Sequence, residues 1–180
     1  MRMIFLAGAA ALSLSACGSD GADADGDGTI SNEEVAEAAR DMVKPLAGQY
    51  RATTELVSFE APGAPPEAVE MMRGAMSRSF EYCMSQEDAD KGFEEMARES
   101  QDDSCKFEKF DVDGGSIDAV MACSGGSGEE MRMTMQGNGT PTGSDMTMTM
   151  QGTIPGQGEG KMVMNTKHER IGDCDASVTN

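Results

Sequence analysis

Tryptophan is absent from this 180-residue chain, aromatic residues make up only 4% of it, and there is one histidine, His168. A core of stacked rings is therefore excluded, and the interior must be assembled from Met, Val, Ile, Ala and a few Phe. Basic residues are also scarce: 14 Lys and Arg stand against 32 Asp and Glu, for a net charge of −18. Such a surface repels DNA, RNA and anionic lipid and suits divalent cations, so no nucleic-acid partner is expected. No Gly-x-Ser-x-Gly, His-Glu-x-x-His or phosphate-binding loop occurs. His168, between Lys167 and Glu169, reads as a solvated strand residue. No enzymatic reaction is assigned. Past the N-terminal leader, no apolar run is long enough to cross a bilayer.

What is present begins with an address. Arg2 precedes an apolar stretch from Ile4 to Leu14, and Leu14-Ser15-Ala16-Cys17 follows. This layout reads as a signal peptide over residues 1–16. The cysteine at the cleavage point resembles the lipobox of bacterial lipoproteins. That resemblance implies a diacylglycerol on Cys17 and acylation of the new amino terminus. Two or more acyl chains anchor stably, since each buried CH₂ contributes about 0.8 kcal/mol. The membrane is thus an expected partner through Cys17, in a bacterial cell envelope and facing the periplasm. In bacteria that sort by the residue after the cysteine, the resemblance with Gly18 rather than Asp there implies the outer membrane. Loss of Arg2 with the leader takes the charge from −18 to −19.

Residues 17–22 form a tether, and Asp23 to Glu34 then follow the EF-hand pattern D-x-D-x-D-G-x-I-x-x-x-E. Ca²⁺ is a hard ion that takes six to eight oxygens. Asp23, Asp25 and Asp27 offer one carboxylate oxygen each, Thr29 its carbonyl, Ser31 a bridging water and Glu34 two closing oxygens. Gly28 permits the sharp bend and Ile30 points inward. Ser31 and Glu34 also form a capping box without any metal. Only five residues separate Cys17 from Asp23, so no entering helix precedes the loop. This half-hand should bind weakly, at about 10⁻⁴–10⁻³ M. An exit helix is expected from Glu33 to Lys44, stopped by Pro45.

Four cysteines remain in the expected domain of residues 45–180. In an exported chain an even set reads as disulfides, and no Cys-x-x-Cys suggests zinc. Cys105 and Cys123 flank a hairpin, which leaves Cys83 with Cys174 to tie the last strand to an early one. Strands are expected at 48–59, 79–84, 105–112, 117–123, 130–137, 145–152 and 161–170, with helices at 67–76 and 85–100. The expected class is α+β with β dominant: an antiparallel meander, as a curved sheet or open half-barrel, with short helices and a half EF-hand in front.

Met131, Met133 and Met135 share one strand face, as do Met146, Met148 and Met150, and then Met162 and Met164; Met-Thr-Met-Gln-Gly occurs twice. Three readings follow: a soft core, a thioether surface for Cu(I), or an adaptable groove for a hydrophobic ligand. Taken with Gly48-Gln49-Tyr50, Cys83-Met84-Ser85-Gln86-Glu87-Asp88, the Cys105–Cys123 hairpin and Arg170-Ile171-Gly172-Asp173-Cys174, the chain from Pro45 to Cys174 resembles the envelope family called domain of unknown function 3617. The resemblance implies an exported β-rich domain with paired cysteines and no reaction. The functional expectation is calcium binding by a cell-envelope lipoprotein, in a structural or regulatory role. The alternative is a periplasmic carrier of a hydrophobic ligand or Cu(I) on the Met-lined sheet. The protein partner or ligand is left unnamed.

Overall fold

The computed structural model describes residues 21–99, 104–125, 129–154 and 158–174; the leader and Cys17 lie outside these. The seven expected strands are all present: β1 (Gly48–Glu60), β2 (Arg78–Met84), β3 (Cys105–Asp113), β4 (Ser116–Ser124), β5 (Glu130–Thr140), β6 (Gly143–Ile154) and β7 (Gly158–Gly172). They form one sheet in the order β2-β1-β7-β6-β5-β4-β3, every neighbouring pair antiparallel. The sheet is β dominant and not closed into a barrel. Strands β3 to β7 are a simple meander, and the β1–β2 hairpin is laid against β7.

Period-two sequence sets the two faces. Across the middle of the sheet, Leu56, Met164, Met148, Met135 and Ala119 are successive cross-strand partners, as are Phe59, Met162, Met150, Met133 and Met121. A thioether ladder therefore runs along one face. Bulges interrupt it where the pairing of β1 with β7 skips Val57 and Ile171. Both skipped residues turn outward, 47% and 38% exposed, which accounts for two of the exposed large apolar side chains.

Among the described residues there are three helices: the first two pack on strands of the sheet, and the third packs on the first. The first, α1 (Asn32–Ala39), is shorter than expected. Ser31 and Glu34 make the capping box, but past Ala39 the chain tightens into i→i−3 bonds, Asp41 N–H to Ala38 O and Met42 N–H to Ala39 O. Pro45 restricts the residue before it, and Met42 and Val43 are drawn against the sheet. The second, α2 (Pro66–Met76), buries no residue. The third, α3 (Gln86–Glu99), is broken at Gly92, whose φ of 57° and ψ of −143° are outside any helix. A residue without a Cβ takes that conformation at little cost, which explains why the expected continuous helix is two segments. The main buried cluster lies at the α1 end of the sheet, where Ile30, Val35 and Ala39 meet Phe107, Phe110, Ala119 and Met121, and Tyr50, Ala52 and Leu56 are buried on β1.

Both disulfides form as expected, Cys83–Cys174 and Cys105–Cys123. They enclose very different lengths, 91 and 18 residues. Loop-closure entropy then orders them: removing Cys83–Cys174 should cost about 4–5 kcal/mol and removing Cys105–Cys123 about 3 kcal/mol. Urea unfolding of the two paired Cys→Ala variants checks this; equal losses, or the reverse order, would contradict it.

Candidate functional site

Asp side chains bond readily to amides two or three residues ahead, and this shapes the acidic loop. Asp23 accepts from Gly26 N–H at 2.9 Å and Gly28 N–H at 3.1 Å, Asp25 from Asp27 N–H at 3.1 Å, and Asp27 from Thr29 N–H at 2.7 Å. Gly26 and Gly28 supply the left-handed bends, at φ 72° and 84°. The result gathers Asp23, Asp25 and Asp27, with one oxygen of each within 4.8 Å of the others. Such a three-carboxylate cradle is the hard-oxygen donor set that Ca²⁺ takes. Glu34 is engaged differently. One oxygen accepts Ala24 N–H at 2.9 Å, and the other accepts Ser31 N–H and the Ser31 hydroxyl, both at 2.9 Å. The Ser31 amide, then its hydroxyl, holds the Glu34 carboxyl below the usual carboxylate range. Of the expected ligand set, the three aspartates converge, while Ser31 and Glu34 serve the helix cap and Thr29 completes an Asx turn.

The loop is bonded directly to the β domain. Ala22 N–H donates to Phe110 O at 3.0 Å, and Ala22 and Ile30 belong to the buried cluster around Phe107 and Phe110. Residues 23–44 thus share a core with the sheet, and the segment at Ala22 covers part of the β3 edge.

The second feature is a cavity of about 700 Å³ over the Met face. Met121, Met133, Met135 and Met146 rise from β4, β5 and β6; Phe107 and Phe110 from β3; and Met42, Val43 and Pro45 close it from the chain after α1. Tyr50, Tyr82 and Met84 form the opposite wall. None of the methionines of β5, β6 and β7 is fully buried, so the soft-core reading holds only where β3 and β4 meet α1. The volume is that of a small-molecule pocket.

Polar groups cluster in one part of the cavity. Tyr50 stacks on Tyr82 with centroids 5.8 Å apart, and its hydroxyl donates to Leu46 O at 2.8 Å and Pro141 O at 3.2 Å. The Tyr82 hydroxyl meets His168 Nδ1 at 2.9 Å, with the rings edge to face. Burial lowers the His168 pKa and raises that of Tyr82, so the imidazole is held neutral and the phenol protonated. His168 is therefore half-buried and inward-facing, which corrects the solvated reading. Charged Lys167 and Glu169 point to the other face; the parity shared with Met162, Met164 and Thr166 was the signal that could have found it. Tyr50 and Tyr82 were likewise read only as strand residues, because the wall they build needs β1 beside β7.

Residues 43–174 match the family model described as "Protein of unknown function (DUF3617)". That span takes in all seven strands, both disulfides and the cavity lining except Met42, and leaves out the acidic loop and α1. No curated protein and no solved structure matches the chain.

Because the folded chain disfavours the imidazolium, the unfolded chain binds the extra proton first. Stability should be complete above the unfolded pKa of about 6.5 and fall as pH drops below it, down to the lower folded pKa. His168 is the only histidine, so His168→Gln should flatten urea midpoints between pH 7.5 and 5. A slope unchanged in that variant would assign the effect elsewhere.

Proposed function

The chain belongs to this family of proteins of unknown function, and we propose that its β domain is a binding module that holds a small, largely apolar molecule in the Met-lined cavity. The observation that carries this reading is the cavity itself: about 700 Å³, walled by flexible thioethers on one side and tyrosines on the other. Cavities of this size bury most of a drug-sized ligand. Unbranched Met side chains repack around ligands of different shape, which suits a carrier more than an enzyme with one substrate. The lipobox-like Leu14-Ser15-Ala16-Cys17 supports, as part of the same proposal, a lipid-anchored carrier in the bacterial envelope, facing the periplasm.

A second reading has its own observation, the convergence of Asp23, Asp25 and Asp27 within 4.8 Å. We propose that these residues bind Ca²⁺ with the weak affinity of extracellular modules, Glu34 joining them only as it leaves the helix cap. The ion would supply two positive charges to a loop that otherwise concentrates negative ones.

The neutral apolar dye N-phenylnaphthylamine should gain fluorescence and shift blue on binding, with micromolar affinity, and Met135→Asp should abolish this. A dye response equal to that of an unrelated acidic protein would remove the ligand-binding reading. For the loop, calorimetry should show Ca²⁺ binding at about 10⁻⁴–10⁻³ M that is lost in Asp25→Ala; no heat at millimolar Ca²⁺ would remove the calcium reading.

A further inference from the structure

The polar corner of the cavity has two unused hydrogen-bonding groups. His168 Nδ1 is committed to the Tyr82 hydroxyl at 2.9 Å, while Nε2 has no partner among the described residues. Ser144 lies directly across from His168 on β6, lines the same cavity, and its hydroxyl likewise has no partner among the described residues. Cross-strand neighbours of this kind place their Cβ atoms about 4.5–5.5 Å apart, close enough for both to reach one ligand atom. The other polar groups nearby are spent: the Tyr50 hydroxyl on Leu46 O and Pro141 O, and the Thr140 hydroxyl on Gly143 O.

Among the described residues no Lys or Arg lines this corner, and Arg170 reaches Tyr50 electrostatically from outside the lining. Among the described lining residues the only ionisable groups besides the tyrosines are His168 and Asp88, and Asp88 accepts the Ser85 hydroxyl at the start of α3. Arg170, across from Tyr50 in the sheet, is committed to Ala47 O and the Asp173 carboxylate. A buried carboxylate or phosphate would thus meet one or two neutral donors and no counter-charge, inside a chain of net charge −18.

Resting on the reading of the cavity as a ligand site, we propose that it selects an uncharged, lipid-like molecule through a single hydroxyl or carbonyl oxygen, received by His168 Nε2–H and Ser144. The phenol of Tyr82, the better donor of the pair, donates its O–H hydrogen bond to Nδ1 and keeps its proton. That leaves the ring proton on Nε2, pointing a donor into the cavity. Tyr82 is then a positioning residue that fixes the tautomer, and the methionines receive the apolar tail.

The test displaces N-phenylnaphthylamine from the full-length protein at pH 8 with 1-dodecanol, 2-dodecanone and dodecanoate, which share a chain length and differ in head group. The alcohol and the ketone should compete at concentrations about tenfold or more below the carboxylate, because only the anion must be buried without a counter-charge. His168→Phe keeps an aromatic ring but no donor, and should weaken both neutral ligands about fivefold relative to the dye, whose own affinity is measured in the variant. His168→Gln, which keeps a donor, should restore most of the loss. Tyr82→Phe releases the tautomer, so the ketone, which can only accept, should weaken more than the alcohol; a purely structural role would weaken both alike. If the dye does not bind the wild-type protein, the cavity reading and this inference fall together. If the dye binds but dodecanoate competes as well as dodecanol, or His168→Phe leaves the affinities of the alcohol and the ketone undiminished, the ligand site stands and this inference alone is overturned.

Discussion

The pairing of the first strand with the last is the contact on which the rest of the molecule depends. Strands β3 to β7 need only short turns to find one another, but they leave β7 with an open edge and the Met face with one wall. β1 supplies the second wall by running the length of β7, with Tyr50 opposite Arg170 and Glu60 opposite Lys161. Chain entropy opposes so remote a contact. The opposition is reduced where Cys83 at the end of β2 meets Cys174 just past β7, stapling across β1. Tyr50 adds a second fastening, since its hydroxyl reaches Pro141 O in the β5–β6 turn. The polar corner exists only because of this arrangement: Tyr82 comes from β2, His168 from β7 and Ser144 from β6.

The two faces of the sheet solve different problems with a restricted alphabet. Outward, Thr147 bonds Asn165, Arg51 pairs with Glu81, Lys109 with Asp118 and Arg132 with Glu108. Each of these exposed pairs contributes little, but together they keep the outer face hydrated and the register polar-out. Inward, methionine stands where a tryptophan-poor chain lacks large rigid groups. A thioether face fills space without demanding one shape, so it tolerates an open cavity that an aromatic core would have to close.

Much of this was legible in the residues. Alternation located every strand to within a few positions, and the turn at Asp113-Gly114-Gly115-Ser116 marked the one hairpin whose flanking cysteines pair. The three aspartates could be read from spacing because the loop is local. Other features could not be read, for physical reasons. Ser31 and Glu34 suit a helix cap and a metal loop equally well, and only coordinates show which bonds they make. The shortened α1 reflects tertiary demand on Met42 and Val43, and the break at Gly92 a backbone freedom that periodicity does not report. His168 was hidden by its charged neighbours, and a cavity is a property of sheet curvature that no single strand carries.

The Met-Thr-Met segments of β5 and β6 pair palindromically: Met133 with Met150, Thr134 with Thr149, Met135 with Met148. A slip of two residues would set Met133 against Met148 and Met135 against Met146, so apolar would still face apolar and nothing would move to the wrong side. These side chains are therefore degenerate as a code for alignment. The missing information is kept outside the pair. Thr140 and Gly143 close a two-residue turn, and the carbonyl of Pro141 within it is held by Leu46 N–H at 2.8 Å and by Tyr50. A choice between alignments that the two strands cannot make for themselves is made for them by the entrance to β1, a segment more than ninety residues away in the chain.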